Sequence, residues 1–184
     1  MIFWCLLPLY KMIIKSFQLD KINFKTFDIF LLYGKNEGFK NEVINKYFVN
    51  KLDGELTKYD EQEFIENSEI IVSELLNKSL FDNQKILIIS RVSDKIIKII
   101  QDLLQRDLLD TKIILKASSL EKKSKIRNFF EKSNKHGIVP CYLDNEITLK
   151  KIIHEKLKNY EGLNQENLNL ILDNCDLDRI KLEN

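Results

Sequence analysis

The residues best placed to do chemistry lie in the stretch Phe27-Asp28-Ile29-Phe30-Leu31-Leu32-Tyr33-Gly34-Lys35-Asn36-Glu37-Gly38-Phe39-Lys40-Asn41. That chemistry would be phosphate binding. An apolar run suited to a buried strand leads into a turn with two glycines, and a helical pattern follows, the order in which loop amides cradle phosphates. In a working G-x-x-x-x-G-K-[ST] loop, Lys directly after the last Gly reaches the phosphates and the next hydroxyl holds Mg²⁺. Here only three residues separate Gly34 from Gly38, Phe39 takes the Lys place, and Lys40 is followed by Asn41. The layout is ATPase-like without ATPase chemistry, which implies a structural or coupling role. Lys35 and Lys40 read as solvated lysines flanking a turn, the alternative being that residues 34–38 still hold a phosphate through backbone amides.

Nucleotide hydrolysis also needs an acidic residue after an apolar strand to organise Mg²⁺. Ile86 to Ile89 runs into Ser90-Arg91 and Ile113 to Leu115 into Lys116-Ala117, so neither run supplies one. His154 falls on the polar side of its helix and His136 at a helix end. Without a serine or cysteine nucleophile in a recognisable motif, both read as solvent histidines. Asp53, Asp60 and Asp82 sit near strand or helix ends, where capping explains them. The three cysteines, Cys5, Cys141 and Cys175, are far apart and lack histidines at ligand spacing, which points to a reducing cytosol and away from zinc. Cys141 and Cys175 read as buried free thiols. No intrinsic catalysis and no cofactor are expected.

Two other stretches stand out. In Asn77-Lys78-Ser79-Leu80-Phe81-Asp82-Asn83, two large apolar residues are adjacent where a polar connection between a helix and a strand is expected. Pattern alone favours both tucking into the core. Exposed, Leu80 and Phe81 would form a compact anchor, each worth about 1.5–3 kcal/mol when buried in a partner. Lys122, Lys123, Lys125 and Arg127 cluster near a helix start. Cations there oppose the helix dipole by about 0.3–1 kcal/mol each, and Glu121 offsets this only partly. The run reads as a solvated face, with phosphate or partner contact as the alternative.

The elements that must position these residues alternate. A helix from about Phe39 to Phe48 follows the first strand, and Glu55 to Tyr59 is a short extended run. An acidic helix opening at Asp60-Glu61-Gln62-Glu63 continues to Asn77 with a break at Asn67-Ser68. Lys85 to Ser90, through Ile86-Leu87-Ile88-Ile89, and Thr111 to Ala117, through Ile113-Ile114-Leu115, suit strands covered on both faces. Helices start near Asp94 and Ser124, the second ending with Gly137 as its C-cap glycine. Ile138 to Leu143 is a last strand, placed at an edge by Pro140. Such alternation predicts a parallel sheet with helices on both faces. Beyond Asp144 the pattern is helical only: Thr148 to Tyr160, closed by Gly162, then Gln165 to Asn174, then a third start at Asp176.

The 184 residues are 44% hydrophobic and 31% charged with five Gly and two Pro, the composition of a globular chain with a substantial core. Lys and Arg (29) nearly balance Asp and Glu (28), so the surface as a whole is not built for nucleic acid. Met1 to Tyr10 is apolar but too short for a membrane span of about 20 residues, and it lacks the basic start of a signal peptide. Residues 1–11 read as an extension outside the fold, with Met12 as the alternative start.

The sequence Leu31-Leu32-Tyr33-Gly34 before a non-functional loop, Ser79-Leu80-Phe81 before a strand, and Ala117-Ser118-Ser119-Leu120-Glu121-Lys122-Lys123-Ser124-Lys125 after one together resemble the delta subunit of the bacterial DNA polymerase III clamp loader. The resemblance covers about Met12 to Asn184. It implies an α/β fold, a three-layer P-loop or AAA-like domain with a parallel sheet over residues 12–144, followed by the start of a small helical, lid-like domain over residues 145–184. It also implies that Ser79, Leu80 and Phe81 contact the sliding clamp (beta subunit) and open it, while ATP belongs to partner subunits. Lys78 departs from the apolar residue sometimes found beside this pair. The chain would then act in the cytoplasm in DNA replication, as a non-catalytic part of a DNA-directed DNA polymerase, a nucleotidyltransferase complex, touching DNA indirectly and no membrane. The family's further helical domain joins the loader subunits, and the sequence ends before it, so clamp binding is expected without stable assembly with the ATPase and delta-prime subunits. The alternatives are a degenerate P-loop interaction module that regulates another ATPase, and a nucleotide-dependent enzyme with a variant loop that relies on Lys40.

Overall fold

The computed structural model describes residues 13–52, 54–77, 84–106, 108 and 110–183. Five parallel strands form one sheet: β1 (Ile29–Tyr33), β2 (Gly54–Asp60), β3 (Gln84–Ser90), β4 (Thr111–Ala117) and β5 (Gly137–Pro140), in the order β2-β3-β4-β1-β5. β1 lies between β4 and the edge strand β5 and is wholly buried, with Leu31 opposite Leu115 on one side and Ile138 on the other. Its alternation divides the core. Ile29, Leu31 and Tyr33 face α2 (Glu61–Glu66), α3 (Ser68–Leu76), α4 (Ile97–Leu103) and α5 (Lys125–Lys132). Phe30 and Leu32 face α1 (Glu37–Ile44), a π-helical turn (Asn45–Val49) that continues it, and a cluster of Phe24, Tyr47 and Phe48 rings. The result is an α/β fold of three layers, a parallel sheet flanked by helices on both faces, as expected.

Local sequence explains most boundaries. Asp60 and Glu63 form a capping box at the start of α2, and Asn67 interrupts the helical run so that α3 starts afresh at Ser68. Ser93 caps the 3-10 turn Asp94–Ile96 that opens into α4. β5 is an edge strand, as Pro140 requires, and its outer side is bridged by Ile13, with Ile14 N–H donating to Ile138 O.

Gly137 departs from expectation. It is the first residue of β5 rather than a helix cap, and α5 ends instead at Ser133 in extended conformation. A Cβ at Gly137 would stand 2.2 Å from the Phe30 ring, its partner in the ladder, so close packing and not turn geometry calls for glycine.

After β5 come α6 (Glu146–Leu157), α7 (Gln165–Cys175) and α8 (Arg179–Glu183), which share a small core of Leu149, Ile153, Leu168, Leu172 and Cys175. Among the described residues no helix is long and apolar enough to cross a membrane. Residues 1–12, including the expected extension, lie outside the described residues.

Candidate functional site

The chain leaving β1 passes through α1 on one face of the sheet, while that leaving β4 passes through α5 on the other. Between neighbouring strands whose exits diverge, a crevice opens at their carboxyl ends, the usual ligand position in such sheets. Gly34 enters it with φ +134°, where a Cβ would lie 2.0 Å from Cys141 O, so no other residue fits. Its N–H donates to Ser118 O (3.1 Å) beyond β4. Asn36 caps α1 by accepting from Phe39 N–H (2.9 Å), while its own backbone N–H donates to Cys141 O (3.1 Å). Its side-chain amide donates to Tyr142 O (3.0 Å) and Asp144 Oδ2 (2.7 Å). The loop is thus sewn to the exits of β4 and β5 by its own amides.

Lys40, expected in solvent, is completely buried. Its Nζ donates to Ala117 O and to Glu37 Oε1, both at 2.6 Å. Lys116 Nζ lies 3.2 Å from the other Glu37 oxygen and donates to Asn41 Oδ1 (3.0 Å). Burial pushes the Glu37 carboxyl up, but hydrogen bonding and charge from Lys40, joined by Lys116, outweigh it and hold the group below its ordinary value. The lysine that follows the second glycine of the pattern is therefore paired inside the chain. Beyond β3, where a nucleotide hydrolase would carry an acid, Arg91 adopts φ +57° and pairs with Asp60.

The first turn of α1 is covered by α8. Arg179, 5% exposed, grips Asp144 with Nε to Oδ2 at 2.9 Å and Nη2 to Oδ1 at 2.6 Å, pairs with Glu42, and lies 4.7 Å over the Phe39 ring. The backbone is equally close, for a Cβ on Gly38 would stand 2.9 Å from Arg179 Cβ. Sequence reasoning missed Arg179. Its partners are distant in the chain, and the signal available was a single arginine opening a short terminal helix.

On the α5 side the crevice is a cavity of about 410 Å³ lined by Tyr33, Lys35, Leu120, Arg127, Tyr142 and Leu143. The four cations expected to form one patch separate here. Lys122, Lys123 and Lys125 are exposed, with Lys123 paired to Glu121, whereas Arg127 turns inward. Its guanidinium lies 4.9 Å over the Tyr33 ring and donates to Leu120 O and Glu131 Oε1, both at 2.8 Å. The dipole conflict at the α5 start is met from outside the segment. Asp94 accepts from Ser124 Oγ (2.7 Å) and from the N–H groups of Lys125 and Ile126 (both 2.9 Å). Of the histidines, His154 is exposed, but His136 stacks on Phe129, and burial pulls its pKa down.

Ser79, Leu80 and Phe81, with Lys78, lie outside the described residues. They connect α3 to β3, and β3 starts at the end of the parallel sheet opposite the Gly34 loop. The anchors of that connection are firm: Lys85 Nζ donates to Glu74 O (2.5 Å) and Asn77 O (2.6 Å), tying the last turn of α3 to β3.

No protein-family model matches the chain, and no curated protein matches it in sequence. Solved structures do match in fold. The chain is similar to the Bacillus subtilis DNA clamp loader delta protein (YqeN), with a TM-score of 0.61 at 12% sequence identity, over 90% of this chain and 52% of that one. It therefore spans about half the length of that protein and shares its α/β fold, a parallel five-stranded sheet flanked by helices and followed by helical segments.

Proposed function

We propose that this chain is a delta-type clamp-loader subunit, which binds a ring-shaped sliding clamp and favours its open form without hydrolysing ATP. The observation that carries the reading is the fold match to a clamp-loader delta protein. The internal neutralisation of Lys40 supports the absence of ATPase chemistry. Residues 12–144 would be the degenerate AAA-like domain and residues 145–184 a helical, lid-like domain. The sliding clamp would be the direct partner, while the ATP-binding and delta-prime subunits and DNA would be met only within the polymerase III holoenzyme.

Ser79, Leu80 and Phe81 supply the wedge in this reading. A ring held under slight strain needs no work stroke, because a protein that prefers the open interface shifts the population toward it. Moving a ring from mostly closed to mostly open takes about 5.5 kcal/mol of differential binding. Burying one Leu and one Phe yields about 3–6 kcal/mol together, so the pair is of the right size to do most of the work.

The test is binding of the full chain to its cognate clamp beside a Leu80→Ala/Phe81→Ala variant with unchanged circular dichroism and melting temperature. Binding that disappears in the folded variant supports the wedge. Failure of the wild type to bind sinks the reading and leaves the interaction module that regulates another ATPase.

A further inference from the structure

The first turn of α1 and the helical segment that follows β5 are bridged by an anion of the chain itself. Asp144 Oδ2 accepts at once from Asn36 Nδ2, the cap of α1, and from Arg179 Nε of α8, while Oδ1 accepts from Arg179 Nη2. The Asp144 and Arg179 side chains are each 5% exposed. Glu42 adds a second carboxylate and Phe39 a ring face beneath the guanidinium.

We infer that Arg179 is a ligand-independent latch, which docks α8 on the first turn of α1 and fixes the helical segment against the α/β layers whether or not a nucleotide is present. The geometry makes the latch nearly all-or-none. A planar fork that meets a carboxylate at two points and stacks on a ring has few intermediate positions. Undocking would strip Asp144 of both guanidinium contacts at once and leave it the Asn36 amide alone. Both sides of the contact are also shaped for it: Gly38 lacks the Cβ that would strike Arg179, and Ile180 N lies 3.1 Å from where that Cβ would be. The inference concerns the isolated chain and stands or falls separately from clamp binding.

Amide hydrogen exchange on the full chain tests it, comparing the wild type with Arg179→Ala, Arg179→Lys and Asp144→Asn. Release of the latch in Arg179→Ala should lower protection in α8 and the first turn of α1 by about tenfold or more, leaving β1 and β4 unchanged. Arg179→Lys keeps the charge but loses the fork and the stacking, so it should fall between. Millimolar MgATP should leave the wild-type pattern as it is. Unchanged protection in α8, an equal loss across sheet and helices, or an ATP-dependent pattern would each overturn the inference. Should Arg179→Ala not fold, the Lys and Asp144→Asn variants read the same contrast between α8 and the sheet.

Discussion

The ammonium of Lys40 and the carbonyl oxygen of Ala117 lie 2.6 Å apart, wholly out of water, across the crevice between β1 and β4. This contact turns a residue expected to be a solvated or phosphate-seeking lysine into an internal strut. A buried acceptor that loses its donor costs about 1–3 kcal/mol. Lys40→Met, which keeps the stem and removes the charge, should therefore destabilise the chain by about that amount in urea unfolding, with the m-value unchanged. Glu37 is half-exposed and keeps Lys116, so the loss stays below that of a fully buried orphan charge. A Lys40→Met chain as stable as the wild type, together with loss of measurable ATP binding, would mean that the lysine serves a ligand instead.

Asp94 gives a pH dependence with a definite sign. Its carboxyl is held below its ordinary value first by the Ile126 N–H, then by the Lys125 N–H and the Ser124 hydroxyl, against an opposing push from burial. A depressed folded pKa contributes stability that is present above the unfolded value, about 3.9, and is lost as pH falls through the lower folded value. Asp94→Asn should cost about 1 kcal/mol near neutral pH, as lost caps do, and the wild-type advantage should fade in acid below about pH 4. Melting temperatures of the two proteins taken from neutral pH into that range check it. Curves that run parallel throughout would show that Asp94 does not hold α5 by charge.

Gly34 is expected to tolerate no side chain. An alanine there meets both a positive φ and Cys141 O at 2.0 Å, so β5 and the loop must separate. The cost should exceed the roughly 1–3 kcal/mol of backbone strain alone, and Cys141, buried and with its thiol pushed up to about 12, should become reactive. Thiol labelling at neutral pH under native conditions reads this directly. Labelling as slow as in the wild type would show that the loop relaxes without freeing β5.

The strands and most helix starts were legible because their signals are local. Ile113-Ile114-Leu115 is an apolar run bounded by Lys112 and Lys116, and Asn67 breaks a helix whose new start can be seen in the letters themselves. The site was less legible because its partners are remote. Lys40 reaches Ala117, Asp94 reaches Lys125, and Arg179 reaches Asp144 and Glu42. No periodicity encodes a pairing between a side chain and a distant carbonyl or helix end. Gly137 misled for a related reason: a glycine after a helix suggests a cap, but its cause is the Phe30 ring packed against it in the sheet. The Arg127 side chain left its basic neighbours because Tyr33 and Glu131 offered it a better environment than water.

The position of β1 in the sheet also sets a timetable for birth of the chain. Synthesis runs from the amino terminus, so the first strand made is the one that must sit between the last two, with Ile29 waiting for Ile113 and Phe30 for Gly137. Until β4 and β5 leave the ribosome, both edges of Ile29–Tyr33 lack their ladder partners. A chain made only as far as Asp110 thus keeps two unpaired edges on its first strand, whereas one made through Pro140 can enclose that strand from both sides.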